Sequence, residues 1–358
     1  MSKILVTAKQ AGSVNALVEP VKELMKRGHD VVVYATGNEA EAKGFGLFNA
    51  GINKSPDYNS VLDGVDLLIS GLSGTDTPDS QFIRTANRMK IPSIGVNDQN
   101  TNYAKRFSSL EDLPSAISLM DGSCLSTMLS QLETELGAEA SKRAVVIGWT
   151  ALDRYAAIRN GFSSSDRERL IKKLGEYSGS KEGIFFHATQ NVKVNGDSNF
   201  FDYELKVTEK VFQMASDLGK ALTVKPHPRE EAGITKNFAE RFGHAFLPPE
   251  ACSTLDLILL SDSVTAGRST CLTEACLLDK NTGGILPEIR DEELIGYPPV
   301  QINAIPYTQR WSEISDILEK ITSANKQINA KLAENRKRFS VDGKASERLA
   351  SLAEKIIS

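Results

Sequence analysis

The stretch ILVTAKQAGSVNALVEPVKELMKRGHDVVVYAT, Ile4 to Thr36, decides the fold. Its first residues belong to Lys3–Thr7, an apolar run with β-branched members that reads as a strand. Val14–Arg27 carries apolar residues at helical spacing and stops at Gly28. Asp30–Tyr34 resumes as a second strand. The small-residue turn Ala11-Gly12-Ser13 links the first strand to the helix. Strand, helix and strand on short links make a parallel βαβ unit, the building block of a sheet covered by helices on both faces.

Outward from this unit the alternation continues. Asp66–Ser70 and Ser93–Val96 read as strands with Ser80–Met89 as the helix between them, and Ile117–Met120 and Ala144–Ile147 as the last strands of the first half. Thr150–Asn160 reads as a helix that Gly161-Phe162-Ser163-Ser164-Ser165 breaks, and the domain boundary is placed there. The second half restarts with a strand at Gly183–His187, a helix at Tyr203–Leu218 and a strand at Ala221–Lys225 stopped by Pro226-His227-Pro228. Leu255–Ser261 reads as a helix-to-strand passage, Ser269–Leu278 as a short helix and Thr282–Leu286 as a strand. Ser312–Ile321, Asn325–Phe339 and Ser346–Ile357 read as helices. The pattern predicts an α/β chain of two tandem doubly wound, Rossmann-like domains, residues 1–160 and 161–342, with 343–358 as a closing helix.

The 358 residues suit two domains at roughly 100–200 residues each, and 41% hydrophobic with 25% charged residues is an ordinary globular composition. A formal net charge of −4 with acids and bases interspersed offers no basic face, which argues against nucleic acid as a partner. Met-Ser-Lys runs straight into the first strand, so no signal peptide is expected. The longest apolar runs, such as Leu257–Leu260, are strand-sized, so no transmembrane segment is expected. Four cysteines (Cys124, Cys252, Cys271, Cys276) without CxxC spacing, and four histidines without ligand spacing, point to no metal and to reduced thiols in the cytoplasm. Peripheral membrane contact and an oligomer stay open.

In parallel sheets, ligands bind beyond the carboxyl ends of the strands, where loops lead into helices. Three loops stand out. Gly12 and Ser13, after the first strand, offer small residues and amides at a helix start. Gly267, Arg268, Ser269 and Thr270 combine close backbone approach, a cation and two hydroxyls, and Glu274 follows one helical turn beyond Thr270, a carboxylate for ribose hydroxyls. Lys225, His227 and Arg229 sit at a strand end stiffened by two prolines, a locus for phosphate. His187 ends a strand, with Gln190 beyond it, and both are candidate cleft residues. Asp98, after the strand at Ser93–Val96, is the candidate general base, with Asp76 next. The Lys105-Arg106 pair reads as a surface feature.

Together these residues resemble the two-domain glycosyltransferase B fold, with a cleft between its domains. Within it the sequence is similar to UDP-N-acetylglucosamine 2-epimerase-like proteins and polysaccharide glycosyltransferases. VVIGWTALDRY resembles the Gly-Asn-Pro-x-x-Asp phrase that closes their first domain, with Trp149 and Thr150 in place of Asn-Pro. GIFFHATQN, LTVKPHPRE and GRSTCLTEA resemble the first strand and the two donor-phosphate loops of the second domain. The His-Pro and Ser-Thr pairing is also similar to that of cytidine-nucleotide transferases. The resemblance implies that His227, Ser269 and Thr270 contact donor phosphates and that Glu274 holds the ribose. It implies a nucleotide-sugar donor, an unidentified acceptor and no further cofactor. The expected activity is glycosyl transfer in bacterial envelope or capsule polysaccharide synthesis. The alternatives are a UDP-sugar 2-epimerase or hydrolase, and a non-catalytic sugar-nucleotide-binding protein.

Overall fold

Ile4, Val6 and Ala8 of the first strand (β1, Lys3–Ala8) pack into one hydrophobic cluster and Leu5 into another, and all four are buried. A strand covered on both faces belongs in the middle of a parallel sheet, and β1 does so. In the computed structural model it pairs with β2 (Asp30–Ala35) on one side. The remaining strands of that sheet are β3 (Gly51–Ile52), β4 (Leu67–Gly71), β5 (Ser93–Val96), β6 (Ala116–Leu119) and β7 (Ala144–Val146). Their order is β3-β2-β1-β4-β5-β6-β7, parallel throughout. The structure describes the chain apart from residues 37–44, 46–47, 49–50, 53–55, 101, 175–183, 192–197, 228–229, 268, 295–297 and 340.

Helices cover both faces. Ala11–Lys26 (α1) places Val14, Leu17, Val21 and Leu24 on the Ile4 side. Pro78–Met89 (α2) places Phe82, Ile83 and Ala86 on the Leu5 side. Thr77 caps α2 in a capping box with Ser80, and Pro78 fills the first turn, where its missing N–H costs nothing.

The second sheet comprises β8 (Phe185–Ala188), β9 (Leu222–Lys225), β10 (Ala245–Phe246), β11 (Ser263–Ala266), β12 (Asn281–Ile285) and β13 (Tyr307–Thr308). Its order, β10-β9-β8-β11-β12-β13, is again parallel. Ser198–Asp217 (α3) packs Val207, Val211, Phe212 and Ala215 onto Phe185, Leu222 and Val224. Ala232–Phe242 (α4) and Cys271–Leu277 (α5) follow β9 and β11. The expected passage from helix to strand at Leu255–Ser261 is instead a whole helix, Thr254–Leu260, with the strand starting at Ser263. Leu257–Leu260 is buried on all sides, so its spacing carries no period. The capping box of Ser253 with Asp256 is what makes it helical.

Contacts divide the chain into two compact units, Met1–Ala156 with Val341–Ser358, and Ala157–Ser340. The closing helix Ala345–Ile357 (α6) belongs to the first. Leu349, Ala350 and Ala353 join the Ile4 cluster, and Arg27 donates to Glu354 at 2.8 Å. The GWTALD phrase forms its socket. Asp153 accepts the N–H groups of Ala345 and Ser346 at 3.2 and 2.6 Å, capping α6 from a distant part of the chain. Gly148 is required there: its φ is +102°, and a Cβ would stand 2.7 Å from Arg348 Nη2.

Candidate functional site

In each sheet the strand order reverses beside the first strand, between β1 and β4 and between β8 and β11. Such a reversal is the switch point, beyond the carboxyl ends of the strands, where open α/β sheets bind ligands. The two units are therefore described in turn from those loops.

In the first unit, Thr7 Oγ1 donates to Ser70 Oγ at 2.8 Å across the β1–β4 pair. Beyond it, Gly12 and Ser13 open α1 under the carboxylate of Asp98, which follows β5. A Cβ on Gly12 would lie 2.3 Å from Asp98 Oδ2, so only glycine leaves room for that carboxylate. Ser13 Oγ is 3.5 Å from the same oxygen. Asp98 Oδ1 takes the guanidinium of Arg106 at 3.0 Å, and Arg106 also donates to the Leu72 carbonyl at 2.7 Å. The expected surface role of Arg106 is thereby corrected: its side chain is 7% exposed, because the buried carboxylate of Asp98 (4% exposed) needs a cation.

A second carboxylate lies in the same unit. Asp79, in the first turn of α2, is fully buried. It accepts from Ser73 Oγ at 2.5 Å, from the Lys9 amide at 3.2 Å and from Thr36 Oγ1 at 3.3 Å, tying together the loops after β4, β1 and β2. Burial raises its pKa to about 6, partly opposed by those three hydrogen bonds. Ser13 Oγ and Asp79 Oδ2 both come close to Gly71, at 2.9 and 3.5 Å from where a Cβ would stand. Asp76, by contrast, is exposed.

In the second unit, Lys225 ends β9 with only 5% exposure, and His227 is half-buried after it. Glu230 braces this loop. It accepts from the His227 amide at 3.1 Å, from Thr189 Oγ1 at 2.6 Å, from Asn191 Nδ2 at 3.3 Å and from Thr235 Oγ1. One carboxylate thus joins the loops after β8 and β9 to α4. After β11, Gly267 lies against the buried carboxylate of Glu204 on α3, and a Cβ there would be 3.1 Å from Oε2. Ser269 is buried, and its Oγ accepts the Cys271 amide at 3.3 Å, whereas Thr270 is exposed. Glu274 and Gln190 are half-buried.

The structure therefore sets Gly12 and Ser13 against Asp98 in one unit; in the other, Gln190 follows β8, Lys225 ends β9 with His227 after it, Gly267, Ser269 and Thr270 follow β11, and Glu274 lies in α5. Arg229 and Arg268 lie outside the described residues. His187 does not join its neighbours. It sits within β8, 1% exposed, its ring edge-on to Phe212 at 5.7 Å. Burial lowers its pKa to about 3, so it is a neutral core residue. The sequence reading missed Asp79 and Glu230. For Asp79 a signal existed, since Thr77-Pro78-Asp79-Ser80 is a helix-start signature directly after a strand. For Glu230 none did. Among the described residues no group of three His, Cys, Asp or Glu side chains could hold a metal ion, and no helix is long and apolar enough to cross a membrane.

No protein-family model and no curated protein matches the chain. Solved structures do. A UDP-GlcNAc 2-epimerase from Neisseria meningitidis, bound to UDP-GlcNAc, is 12% identical with a TM-score of 0.72, over 99% of this chain and 100% of that one. A glycosyltransferase from Rickettsia africae is 10% identical with a TM-score of 0.68, over 100% and 99%. MurG from Acinetobacter baumannii is 11% identical with a TM-score of 0.61, over 99% and 100%. At these identities the likeness is one of fold, and with two Rossmann-like parallel sheets on the page it is decisive: the chain has the glycosyltransferase B fold.

Proposed function

We propose that the chain is a nucleotide-sugar-dependent glycosyltransferase of bacterial envelope or capsule polysaccharide synthesis. The observation that carries this reading is the set of strand-end loops in the second unit. Ser269 and Thr270 supply hydroxyl donors after β11, beside the reversal of strand order, and Lys225 and His227 supply cationic donors after β9, where Glu230 accepts from the His227 amide. Such preorganised donors stabilise the charge that grows on a leaving phosphate as a glycosidic bond breaks. Arg229 and Arg268 add cations to the same loops in sequence, and Glu274 suits ribose hydroxyls. Asp98, with one oxygen on Arg106 and the other over Gly12, is the acceptor-side carboxylate. A structural neighbour holds UDP-GlcNAc, which makes that donor the first to try.

The second reading, a UDP-sugar 2-epimerase or hydrolase, is favoured by one observation: the first unit carries two carboxylates, Asp79 and Asp98, where transfer needs one base. Incubation of the protein with UDP-GlcNAc, with and without a mixture of oligosaccharide acceptors, separates the two. The transferase reading expects release of UDP that requires acceptor. Formation of the 2-epimer, or of free sugar at the same rate, from donor alone would establish the second reading. Binding without turnover would leave a sugar-nucleotide-binding protein.

A further inference from the structure

We propose that the second unit carries a groove for an acidic glycan, apart from the strand-end loops; the choice of a glycan as its occupant rests on the polysaccharide glycosyltransferase reading. Helix α3 buries Val207, Val211 and Phe212 on one face. Lys206, Glu209 and Lys210 fall on the other, and there they line a solvent-open groove of about 410 Å³. Arg241 and Phe242, from the last turn of α4, and Trp311, from the turn Trp311–Glu313, complete the lining. None of these residues belongs to the loops after β8, β9 or β11. Three cations face one carboxylate, and that carboxylate is already taken: Arg241 donates to Glu209 Oε1 at 2.9 Å. The Arg241 guanidinium also lies over the Phe242 ring, 4.9 Å from its centroid. Among the described residues, Lys206 and Lys210 have no carboxylate partner.

Charge complementarity selects an anion, and its spacing selects a chain. Lys206 and Lys210, four residues apart on one helix, stand about 6 Å apart along its axis. A single phosphate group meets one such point, whereas a chain with charges at intervals meets both lysines and Arg241. The formal net charge of the protein is −4, so a polyanion is drawn only to a place where cations are concentrated. Trp311 selects the kind of chain. Its indole N–H donates to Glu288 Oε1 at 2.7 Å and its ring meets Tyr203 edge-on at 6.5 Å, which holds the ring in place. An aromatic face carries partial negative charge, and the C–H groups of a sugar ring, polarised positive, pack against it. An acidic peptide brings the charges without that ring face. An oligosaccharide bearing carboxylates brings both, and an open groove lets its chain continue past either end.

Calorimetric titration of the protein with hexagalacturonate, with maltohexaose as the neutral glycan and with hexaglutamate as the acidic peptide, tests the groove. Hexagalacturonate should bind more tightly than either of the others. Lys206→Gln/Lys210→Gln should weaken it about 10-fold, two exposed ion pairs at the upper end of their usual worth, with the melting temperature unchanged. Lys206→Arg/Lys210→Arg should restore it. Trp311→Leu should weaken hexagalacturonate and leave hexaglutamate as it was, and Trp311→Phe, which keeps a ring, should bind like the wild type. Equal affinity for maltohexaose or for hexaglutamate, or an affinity unchanged in Lys206→Gln/Lys210→Gln, overturns the proposal. Release of UDP from UDP-GlcNAc tests the transferase reading separately. Hexagalacturonate bound by the wild type and lost in the lysine variant, with no UDP released by any acceptor, supports the groove and contradicts the transferase reading. UDP released on addition of acceptors, with no hexagalacturonate bound, contradicts the groove alone.

Discussion

The two sheets share one strand order over six strands, the first adding β7 at its edge, so their switch points are equivalent, yet the loops there carry different chemistry. In the first unit the buried carboxylates of Asp79 and Asp98 lie among small residues, Gly12, Ser13 and Gly71. In the second, Lys225 and His227 follow β9 and two hydroxyl residues, Ser269 and Thr270, follow β11; of its carboxylates, Glu230 is spent on bracing the loops and Glu204 lies buried against Gly267. The backbone plan sets where a ligand binds, and the side chains at the strand ends set what that ligand is. An acidic crevice suits hydroxyl groups that must lose a proton, and a cationic one suits phosphate.

The sharpest way to break the acidic half is to remove its counter-ion. Arg106→Met leaves Asp98 buried without its cation, and unfolding in urea should show a loss of about 4 kcal/mol, the usual cost of breaking a buried pair on one side. The double variant Arg106→Met/Asp98→Asn should recover much of it. Full additivity of the two changes would mean that the pair is not coupled.

The halves should also respond to pH with opposite sign. His187 has a pKa of about 3 when folded against 6.5 as its ordinary value. Its contribution is fully present above pH 6.5 and lost as pH falls toward 3, on the order of 3 kcal/mol between pH 7.5 and 4.5. Asp79 is raised to about 6 from 3.8, so its contribution is fully present below pH 3.8 and lost as pH rises through 6, by about 2–3 kcal/mol. His187→Phe should therefore remove an acid-side loss of stability, and Asp79→Asn a loss on the neutral side. The check is the difference in unfolding free energy from wild type at pH 4.5, 6 and 7.5. The same slope in both variants would contradict the contrast between the units.

Gly12→Ala is a smaller perturbation. The new methyl collides with Asp98 Oδ2 at 2.3 Å, so the carboxylate must shift, at about 2 kcal/mol. A melting temperature equal to wild type would show that Asp98 has room to move.

Much of this was legible in the sequence, for reasons that can be named. The Lys3–Ala35 segment shows its period because β1 is buried on both faces and α1 on one, so strand and helix leave different traces. GWTALD was singled out by resemblance alone; what its Gly148 and Asp153 do, a positive φ and a remote helix cap, shows only in the structure. Leu257–Leu260 was not, because a short run buried all round carries no period. The candidate loops were chosen for their glycine, proline and hydroxyl content. Arg106 and His187 were misread because burial of a polar side chain depends on tertiary partners that adjacency in sequence does not show, Asp98 and Leu72 for Arg106 and Phe212 for His187. Asp79 was overlooked because its three donors come from three different loops.

The most direct test of the account is a thermal-shift series with UDP, CMP, CDP, GDP and dTDP on the wild type, on His227→Ala and on Ser269→Ala/Thr270→Ala, with Asp98→Asn as the control from the other unit. A ligand that binds only the folded state raises the melting temperature according to its affinity. The account predicts stabilisation by one nucleotide class, lost in both second-unit variants and retained in Asp98→Asn. No shift with any nucleotide at millimolar concentration, or a shift that survives the second-unit changes and disappears in Asp98→Asn, would contradict it.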